Sequence, residues 1–260
     1  MNDPKAGLNR LLAALPGDAW QRWKLNLQLV DLPLGRVLYE PGVTQDHAWF
    51  PGTAIVSLLY GLADGGSAEI AMVGNDGVVG VSLIMGGEST PNRAVVRNAG
   101  LGFRLSSSFF KDEFRQDVQV TRLLLRYTQA LITQMAQTAM CNRHHSLDQQ
   151  LCRWLLNSLD RLQSDELQVT QELIASMLGV RREGVTEAAL KLQRAGLIRY
   201  ARGHVAVLDR RGLEQRACEC YAVVRRECDR LLPRAADRES GAPGPAARVP
   251  ARVLERAVPA

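Results

Sequence analysis

Three charged side chains that can read nucleic-acid bases stand together at the start of a predicted helix: Arg181, Arg182 and Glu183. Arginine can donate two parallel hydrogen bonds to guanine, and glutamate can accept one from the amino group of cytosine. Because phosphate repels a carboxylate, a glutamate on a helix that faces DNA indicates contact with bases. Base reading requires that these residues open a helix lying in the major groove.

The surrounding residues predict such a helix. Residues 171–190 read as two short helices joined by a turn at Leu178-Gly179-Val180, where glycine supplies the positive φ of a tight turn. A strand, an Arg-Gly turn and a second strand follow over residues 198–208, which makes the unit a winged helix-turn-helix with a recognition helix at 181–195. Thr170 is predicted to cap the first of the two short helices. The residues predicted to contact DNA are Thr170, Gln171, Arg181, Arg182, Glu183, Thr186, Glu187, Arg199, Arg202 and His204.

The first half of the chain has a different pattern. Over residues 31–105, short apolar runs alternate with Gly- and Pro-containing turns, which is typical of a β-sandwich or barrel. A long helix is predicted from about residue 117 to residue 143, with an apolar stripe at spacings of four, seven, four and three. We interpret this stripe as a coiled-coil dimer contact; the alternative is that it packs on its own barrel. The predicted dimer residues are Val120, Leu124, Tyr127, Leu131, Met135 and Thr138.

Composition excludes several classes of protein. The 260 residues carry 32 basic and 27 acidic side chains, a net charge of +5 that alone does not indicate nucleic acid. No apolar run approaches the ~18–20 residues of a membrane span, so no membrane partner is predicted. Five cysteines, all in the second half, do not form a secreted disulfide framework, so we expect a cytoplasmic protein. The predicted divisions are a sensor-like barrel with N-terminal helices (1–116), a dimerisation helix and hinge (117–145), a DNA-binding domain (146–232) and a disordered tail (233–260).

The order of helix, barrel, long helix and winged helix resembles the cyclic-AMP receptor and fumarate–nitrate regulator (Crp/Fnr) family of bacterial transcription factors. The sharpest similarity lies in residues 169–209, VTQELIASMLGVRREGVTEAALKLQRAGLIRYARGHVAVLD. The resemblance implies an α+β fold with a cyclic-nucleotide-binding-like barrel of jelly-roll type. It also implies a homodimer that reads a palindromic operator in double-stranded DNA, and RNA polymerase as a further partner. Arg182, Glu183 and Glu187 take the base-reading positions.

The barrel departs from the family at its cyclic-nucleotide site. The family holds the ribose with a Gly-Glu pair and the phosphate with an Arg-Ser-Ala stretch. Gly80 and Arg93 match these motifs, but Val81 and Ala94 replace the polar partners. We therefore predict that cyclic AMP does not control this protein and that any small-molecule effector is unknown. The corresponding pocket positions, including two on the long helix where the family meets adenine, are Gly80, Val81, Arg93, Ala94, Met135 and Ala136.

The cysteines and histidines are not predicted to hold a metal or a cofactor. The iron–sulfur members of the family use N-terminal cysteines, and none precedes Cys141 here. Cys218, Cys220 and Cys228 could form a redox or metal site with Cys152, but the three C-terminal cysteines by themselves lack the fourth ligand of a closed zinc site. We therefore interpret them as reduced, partly buried thiols.

No enzyme activity and no catalytic residue are predicted. His47 is the only histidine in the predicted barrel, whereas a metal-dependent cupin needs several. Motifs for a nucleophile elbow, a P-loop or a dinucleotide site do not occur. The remaining alternative to a DNA-binding regulator is a ligand or redox sensor whose winged helix binds another protein.

Overall fold

The computed structural model describes residues 6–61, 63, 66–162 and 164–232. The tail predicted to be disordered, 233–260, lies outside these residues. A short 3-10 turn (Ala6–Leu8) precedes helices α1 (Arg10–Ala13) and α2 (Gly17–Trp23). The N-terminal helices end at Trp23, and the chain becomes strand β1 at Gln28.

Seven strands of the N-terminal half form two antiparallel sheets. One sheet has the order β1-β7-β3 and the other has the order β2-β6-β4-β5. Residues from both sheets belong to one buried core, among them Phe50, Leu105, Val56 and Val96. The predicted jelly-roll type is therefore present as two packed layers, and the described strands do not close into one hydrogen-bonded barrel. The strands are β1 (Gln28–Leu32), β2 (Val37–Tyr39), β3 (His47–Pro51), β4 (Ile55–Gly61), β5 (Ser67–Val73), β6 (Arg93–Asn98) and β7 (Gly100–Ser106).

Three helices follow the sheets: α3 (Ser107–Gln116), α4 (Val118–His144) and α5 (Leu147–Leu162). The Asp117 carboxylate caps α4 by accepting hydrogen bonds from the backbone N–H groups of Gln119 and Val120 at 2.9 and 3.2 Å. This cap satisfies donors that the helix itself leaves unpaired. The bounds of the long helix predicted from the sequence are confirmed to within one residue.

The apolar stripe predicted to face a second copy is instead buried inside this chain. Val120 and Leu124 are 0% and 1% exposed and belong to the core of the two sheets. Thr138 is also buried and accepts a hydrogen bond from Arg153 of α5 at 3.2 Å. The alternative weighed for this stripe, packing on its own domain, is the one that the structure shows. Tyr127 and Leu131 are buried in the same core, and Met135 is partly buried against it.

The C-terminal half is a winged helix-turn-helix, with one strand, β8, that was not predicted from the sequence. The three-stranded sheet has the order β8-β10-β9, and its first strand lies before the helix pair. Its three residues are too few for an alternating pattern to be visible in the sequence. The elements are β8 (Glu166–Gln168), α6 (Gln171–Leu178), α7 (Arg182–Arg194), β9 (Ile198–Ala201), β10 (His204–Val207), α8 (Arg210–Arg216) and α9 (Glu219–Leu231).

The two halves are packed together. A second buried core joins Ile55 and Met72 of the four-stranded sheet to Leu155 of α5 and Met177 of α6. Helix α9 returns along α4, and its last residue, Leu231, and the following Leu232 enter the core of the sheets. Among the described helices, none has the length and hydropathy needed to cross a bilayer.

Candidate nucleic-acid interface

The first helix of the motif begins at a capped N-terminus. The Thr170 hydroxyl accepts a hydrogen bond from the backbone N–H of Leu173 at 3.2 Å, which confirms the predicted cap. Thr170 itself is exposed. The free N–H groups and partial positive charge of a helix N-terminus favour an anion such as a DNA phosphate.

The turn between α6 and α7 depends on Gly179. This residue has φ +65°, a left-handed conformation that costs a residue with a Cβ about 1 kcal/mol or more, and its N–H donates to the carbonyl of Ala175. The predicted positive φ is confirmed. The turn also lies against the sensor-like half, because the Ser67 and Ser176 hydroxyls are 3.2 Å apart.

The three base-reading candidates stand at the surface, at the start of α7. Arg181 is the N-cap residue, and Arg182 and Glu183 are the first two residues of the helix. All three side chains are exposed, and within the described part of the chain none has a hydrogen bond or an ion pair to another side chain. Their charged groups are therefore available to a partner.

Two other residues of the predicted set are engaged within the motif. The Thr186 hydroxyl donates to the Gln171 side-chain oxygen at 2.8 Å, which joins α7 to the start of α6. Glu187 forms an ion pair with Lys191 at 3.0 Å, although its side chain stays 72% exposed. The hydrogen bond between Thr186 and Gln171 fixes the angle between α6 and α7. To contact a base, Glu187 would have to break its ion pair with Lys191.

The wing brings further polar residues to the same end of the domain. Arg202 and Gly203 have φ values of +50° and +78°, the pattern of a two-residue turn of type I′. Arg199, Arg202 and His204 are exposed on this hairpin. The N–H of Val169, next to the Thr170 cap, donates to the Gly203 carbonyl at 2.7 Å, so the wing tip adjoins the start of α6.

The residues predicted for an effector pocket are dispersed between surface and core. Gly80 has φ +118° and begins a short 3-10 turn. The Arg93 guanidinium is 46% exposed and lies 2.9 Å from the Glu40 carboxylate. Ala94 is fully buried in β6, and Val81 is partly buried. On α4, Met135 is half-buried against the core and Ala136 is exposed.

A polar cluster between the two halves was not found from the sequence. The buried Glu69 carboxylate accepts hydrogen bonds from the Ser57 hydroxyl and from the indole N–H of Trp154, the latter at 3.1 Å. Burial raises the pKa of Glu69 to about 7. Arg97 lines a cavity together with Glu69 and Trp154, and burial lowers the pKa of its guanidinium. Only the packing of the sheet against α5 reveals this cluster, because Trp154 lies 85 residues from Glu69 in sequence.

The cysteines also group differently from the sequence-based interpretation. Cys218 and Cys220 approach Cys141 and His145 at the end of α4. Cys152 lies in the winged-helix core, and Cys228 packs against the core of the sheets, so neither joins them. These residues meet because α9 packs along α4, and a local sequence pattern does not predict the packing of two helices so far apart in sequence.

Comparison with known proteins finds a matching domain model and several chains of similar architecture. The family model described as the Crp-like helix-turn-helix domain matches residues 149–216. A search among curated proteins gives no significant match.

Three solved structures illustrate the structural similarity, each over nearly the whole of its own length. A putative Crp/Fnr-family transcriptional regulator from Eubacterium rectale is 17% identical, with TM-score 0.62 over 80% of this chain and 97% of that chain. FixK2 from Bradyrhizobium japonicum is 17% identical, with TM-score 0.62 over 74% and 98%. A Crp-family transcriptional regulator from Thermus thermophilus is 20% identical, with TM-score 0.61 over 72% and 96%.

These findings confirm the resemblance that the sequence predicted. Identities of this size establish the fold, and the family match establishes the nature of the C-terminal domain. Residues 149–216 match the Crp-like helix-turn-helix domain, and the chain shares its fold with solved structures of Crp/Fnr-family regulators.

Proposed function

We propose that this protein is a cytoplasmic, homodimeric regulator that binds a palindromic DNA operator by reading bases with α7. The observation that carries the proposal is the exposure of Arg181, Arg182 and Glu183, unpaired within the described residues, at the N-terminus of α7. Side chains at this end of a recognition helix are the ones that reach base edges in the major groove. Free charges of both signs suit base reading better than phosphate binding alone.

The neighbouring elements supply the phosphate contacts that such a complex needs. The capped start of α6 and the tip of the wing flank α7, and both present polar groups to solvent. Arg199, Arg202 and His204 would neutralise backbone phosphates, which adds affinity that is independent of sequence and sensitive to salt. Thr186 and Gln171 act by holding the two helices together rather than by touching DNA.

A second copy is expected to pack along a face of α4 different from the stripe first predicted. Val118, Leu125 and Ile132 are 64%, 53% and 56% exposed and recur every seven residues. A seven-residue repeat of exposed apolar side chains on one long helix is the pattern of a parallel helix pair. Such a pair would hold two recognition helices about one DNA turn apart, ~34 Å, and so requires a palindromic operator.

Control by cyclic AMP is not expected. Arg93, the one charged group retained from the family's phosphate motif, is paired with Glu40 at 2.9 Å. Val81 and Ala94 offer no side-chain hydrogen bond to a ribose or a phosphate, and each missing bond forfeits about 0.5–3 kcal/mol. The resemblance to the family further predicts RNA polymerase as a partner and an effector of unknown identity.

The test is selection of bound duplexes from random DNA, followed by mobility-shift titration. Wild-type protein should select a palindrome. Arg182→Ala should lose about 1–3 kcal/mol of preference at one base pair of each half-site, or roughly 5- to 150-fold. Arg194→Ala, at the other end of α7, is the matched control and should keep the preference.

Two outcomes would contradict the proposal. If wild-type protein selects no palindrome, the regulator assignment fails and a protein-binding winged helix becomes the better hypothesis. If Arg182→Ala weakens binding equally on all sequences and reduces the salt dependence, Arg182 is a phosphate contact and does not read a base.

A further inference from the structure

Three cysteines and one histidine meet where the winged-helix half leaves α4. Cys141 lies in the last turn of α4 and His145 directly follows that helix, while Cys218 and Cys220 flank the start of α9. The four potential ligand atoms all lie within 4.8 Å of one another. Cys141, Cys218 and Cys220 are 0%, 4% and 2% exposed, so the thiols converge in a space that is closed to solvent.

The separations match those around one tetrahedral metal ion. Zinc binds thiolate sulfur at about 2.3 Å and imidazole nitrogen at about 2.0–2.1 Å, so tetrahedral geometry places two sulfurs about 3.8 Å apart and a sulfur and a nitrogen about 3.6 Å apart. The Cys141 and Cys218 Sγ atoms are 3.5 Å apart. Cys220 Sγ is 3.6 Å from His145 Nδ1.

The surroundings orient the ligands in the way that a metal site requires. His145 Nε2 lies 3.3 Å from a Glu219 carboxylate oxygen, so the proton belongs on Nε2 and the Nδ1 lone pair faces Cys220. This carboxylate–histidine arrangement is the usual support of a metal-binding imidazole. The Gln150 amide donates to the backbone carbonyls of His145 and Cys141 at 2.9 and 3.4 Å, which fixes the end of α4.

We propose that Cys141, His145, Cys218 and Cys220 bind one Zn²⁺ ion as a closed Cys3His site. Four ligands leave no open position, so the ion has a structural role. Three thiols lose their protons on binding, which gives the site a net charge of −1. Buried Arg153, whose positive charge acts on Cys141, offsets that charge.

The site joins the two ends of the DNA-binding domain. Two ligands precede the helix-turn-helix and two follow it, so the ion closes a loop of the chain that contains α5 to α8. A link across so long a loop stabilises the folded chain by restricting the unfolded one. It also fixes the segment between α4 and α5, where any rotation of the DNA-binding domain relative to the sheets would occur.

The test is metal analysis of the full-length chain purified under reducing conditions without a metal-affinity tag. Wild-type protein should hold about one zinc per chain. Replacement with Co²⁺ should give the thiolate charge-transfer and d–d bands of a tetrahedral site. Cys220→Ser and His145→Gln should each lose most of the metal, and Glu219→Gln should weaken zinc binding about 10- to 100-fold.

Cys228→Ser is the matched control. Cys228 lies on the same helix, about two turns beyond Cys220, and burial raises the pKa of its thiol to about 11. This variant should keep its zinc, and a chelator should lower its melting temperature as it does for wild type. The melting temperature of Cys220→Ser should not respond to the chelator.

Four outcomes would overturn the proposal. The first is wild-type protein without zinc and without cobalt bands after Co²⁺ addition, and the second is equal loss of metal in Cys228→Ser and Cys220→Ser. The third is iron with acid-labile sulfide, which would indicate a cluster. The fourth is a disulfide between Cys141 and Cys218 in protein kept under reductant. Each of these readouts is independent of DNA binding.

Discussion

At the scale of single residues, the feature outside the candidate nucleic-acid interface with the largest expected effect on stability is the buried carboxyl group of Glu69. Its side chain joins β5 to α5 through Trp154, and Arg97, Arg153 and Arg161 are the cations that act on it from β6 and α5. Desolvation outweighs these cations and raises its pKa from 4.5 to about 7. The folded chain therefore holds this proton more tightly than the unfolded chain does.

The raised pKa of Glu69 makes the stability of the folded chain depend on pH. Below about pH 4.5 Glu69 is protonated in both states and costs nothing, whereas above about pH 7 the folded chain contains a poorly solvated carboxylate. The stability contributed by this group should therefore fall across that interval, by up to about 3 kcal/mol. Glu69→Gln keeps the shape without the charge: its carbonyl oxygen can accept from the Trp154 indole N–H, and its NH2 group can donate to the Ser57 hydroxyl. It should therefore be more stable than wild type at about pH 8 and similar to it near pH 4.

Urea unfolding at several pH values measures this difference. Glu166→Gln, at an exposed position on β8, is the control and should follow the wild-type profile. Parallel profiles for Glu69→Gln and wild type would mean that the contact between the two halves is hydrated, and that Glu69 is not the group that titrates.

At the scale of elements, the sequence predicted what is local and missed what is distant. The turn at Gly179, the Thr170 cap and the bounds of α4 follow from residues within a few positions of each other, and all are confirmed. Three features depend on elements that lie far apart in sequence but pack together in the fold. They are the burial of the α4 stripe, the Glu69 cluster and the meeting of Cys141 with Cys218. An apolar stripe has the same spacing whether it faces a domain core or a second helix, so its partner could not be predicted.

The packing of α4 on the sheets depends on one close approach. The Tyr127 ring lies against Gly77 in the loop after β5, and its hydroxyl donates to the Val78 carbonyl at 2.9 Å. A Cβ added at Gly77 would overlap the Tyr127 ring, which is 5% exposed and held by its hydrogen bond to Val78. Gly77→Ala should therefore destabilise the chain by about 1–3 kcal/mol.

The free energy of unfolding of Gly77→Ala is measured by equilibrium unfolding and compared with that of Gly17→Ala, the control. Gly17 begins α2 with no atom within 4 Å of an added Cβ, so alanine should be neutral or slightly stabilising there. If both substitutions have the same effect, the contact between Tyr127 and Gly77 does not hold α4 on the sheets.

At the scale of the whole molecule, α4 has two apolar sides with different partners. Leu123, Leu124 and Leu131 point into the chain's own core. The side that carries Leu125 and Ile132 remains exposed, and Ala136 and Ala139 continue it toward Met140. Small residues at the C-terminal part of this face would let two helices approach closely, just before the segment that leads into the DNA-binding domain.

A charge placed on this face should separate the two copies without unfolding either. Around a two-fold axis, Ile132→Glu sets two carboxylates against each other in a region that loses its water on pairing, and unpaired buried charges of this kind cost several kcal/mol. Wild type should sediment as a dimer at micromolar concentration and Ile132→Glu as a monomer with an unchanged circular dichroism spectrum. Gln119→Glu adds the same charge to an exposed position of α4 that lies about a third of a turn around the helix axis from the face of Val118, Leu125 and Ile132. This variant should remain dimeric. A monomeric wild type, or a dimeric Ile132→Glu, would show that the copies do not pair along Val118, Leu125 and Ile132. A palindromic operator would then have to be bound by two chains that meet elsewhere.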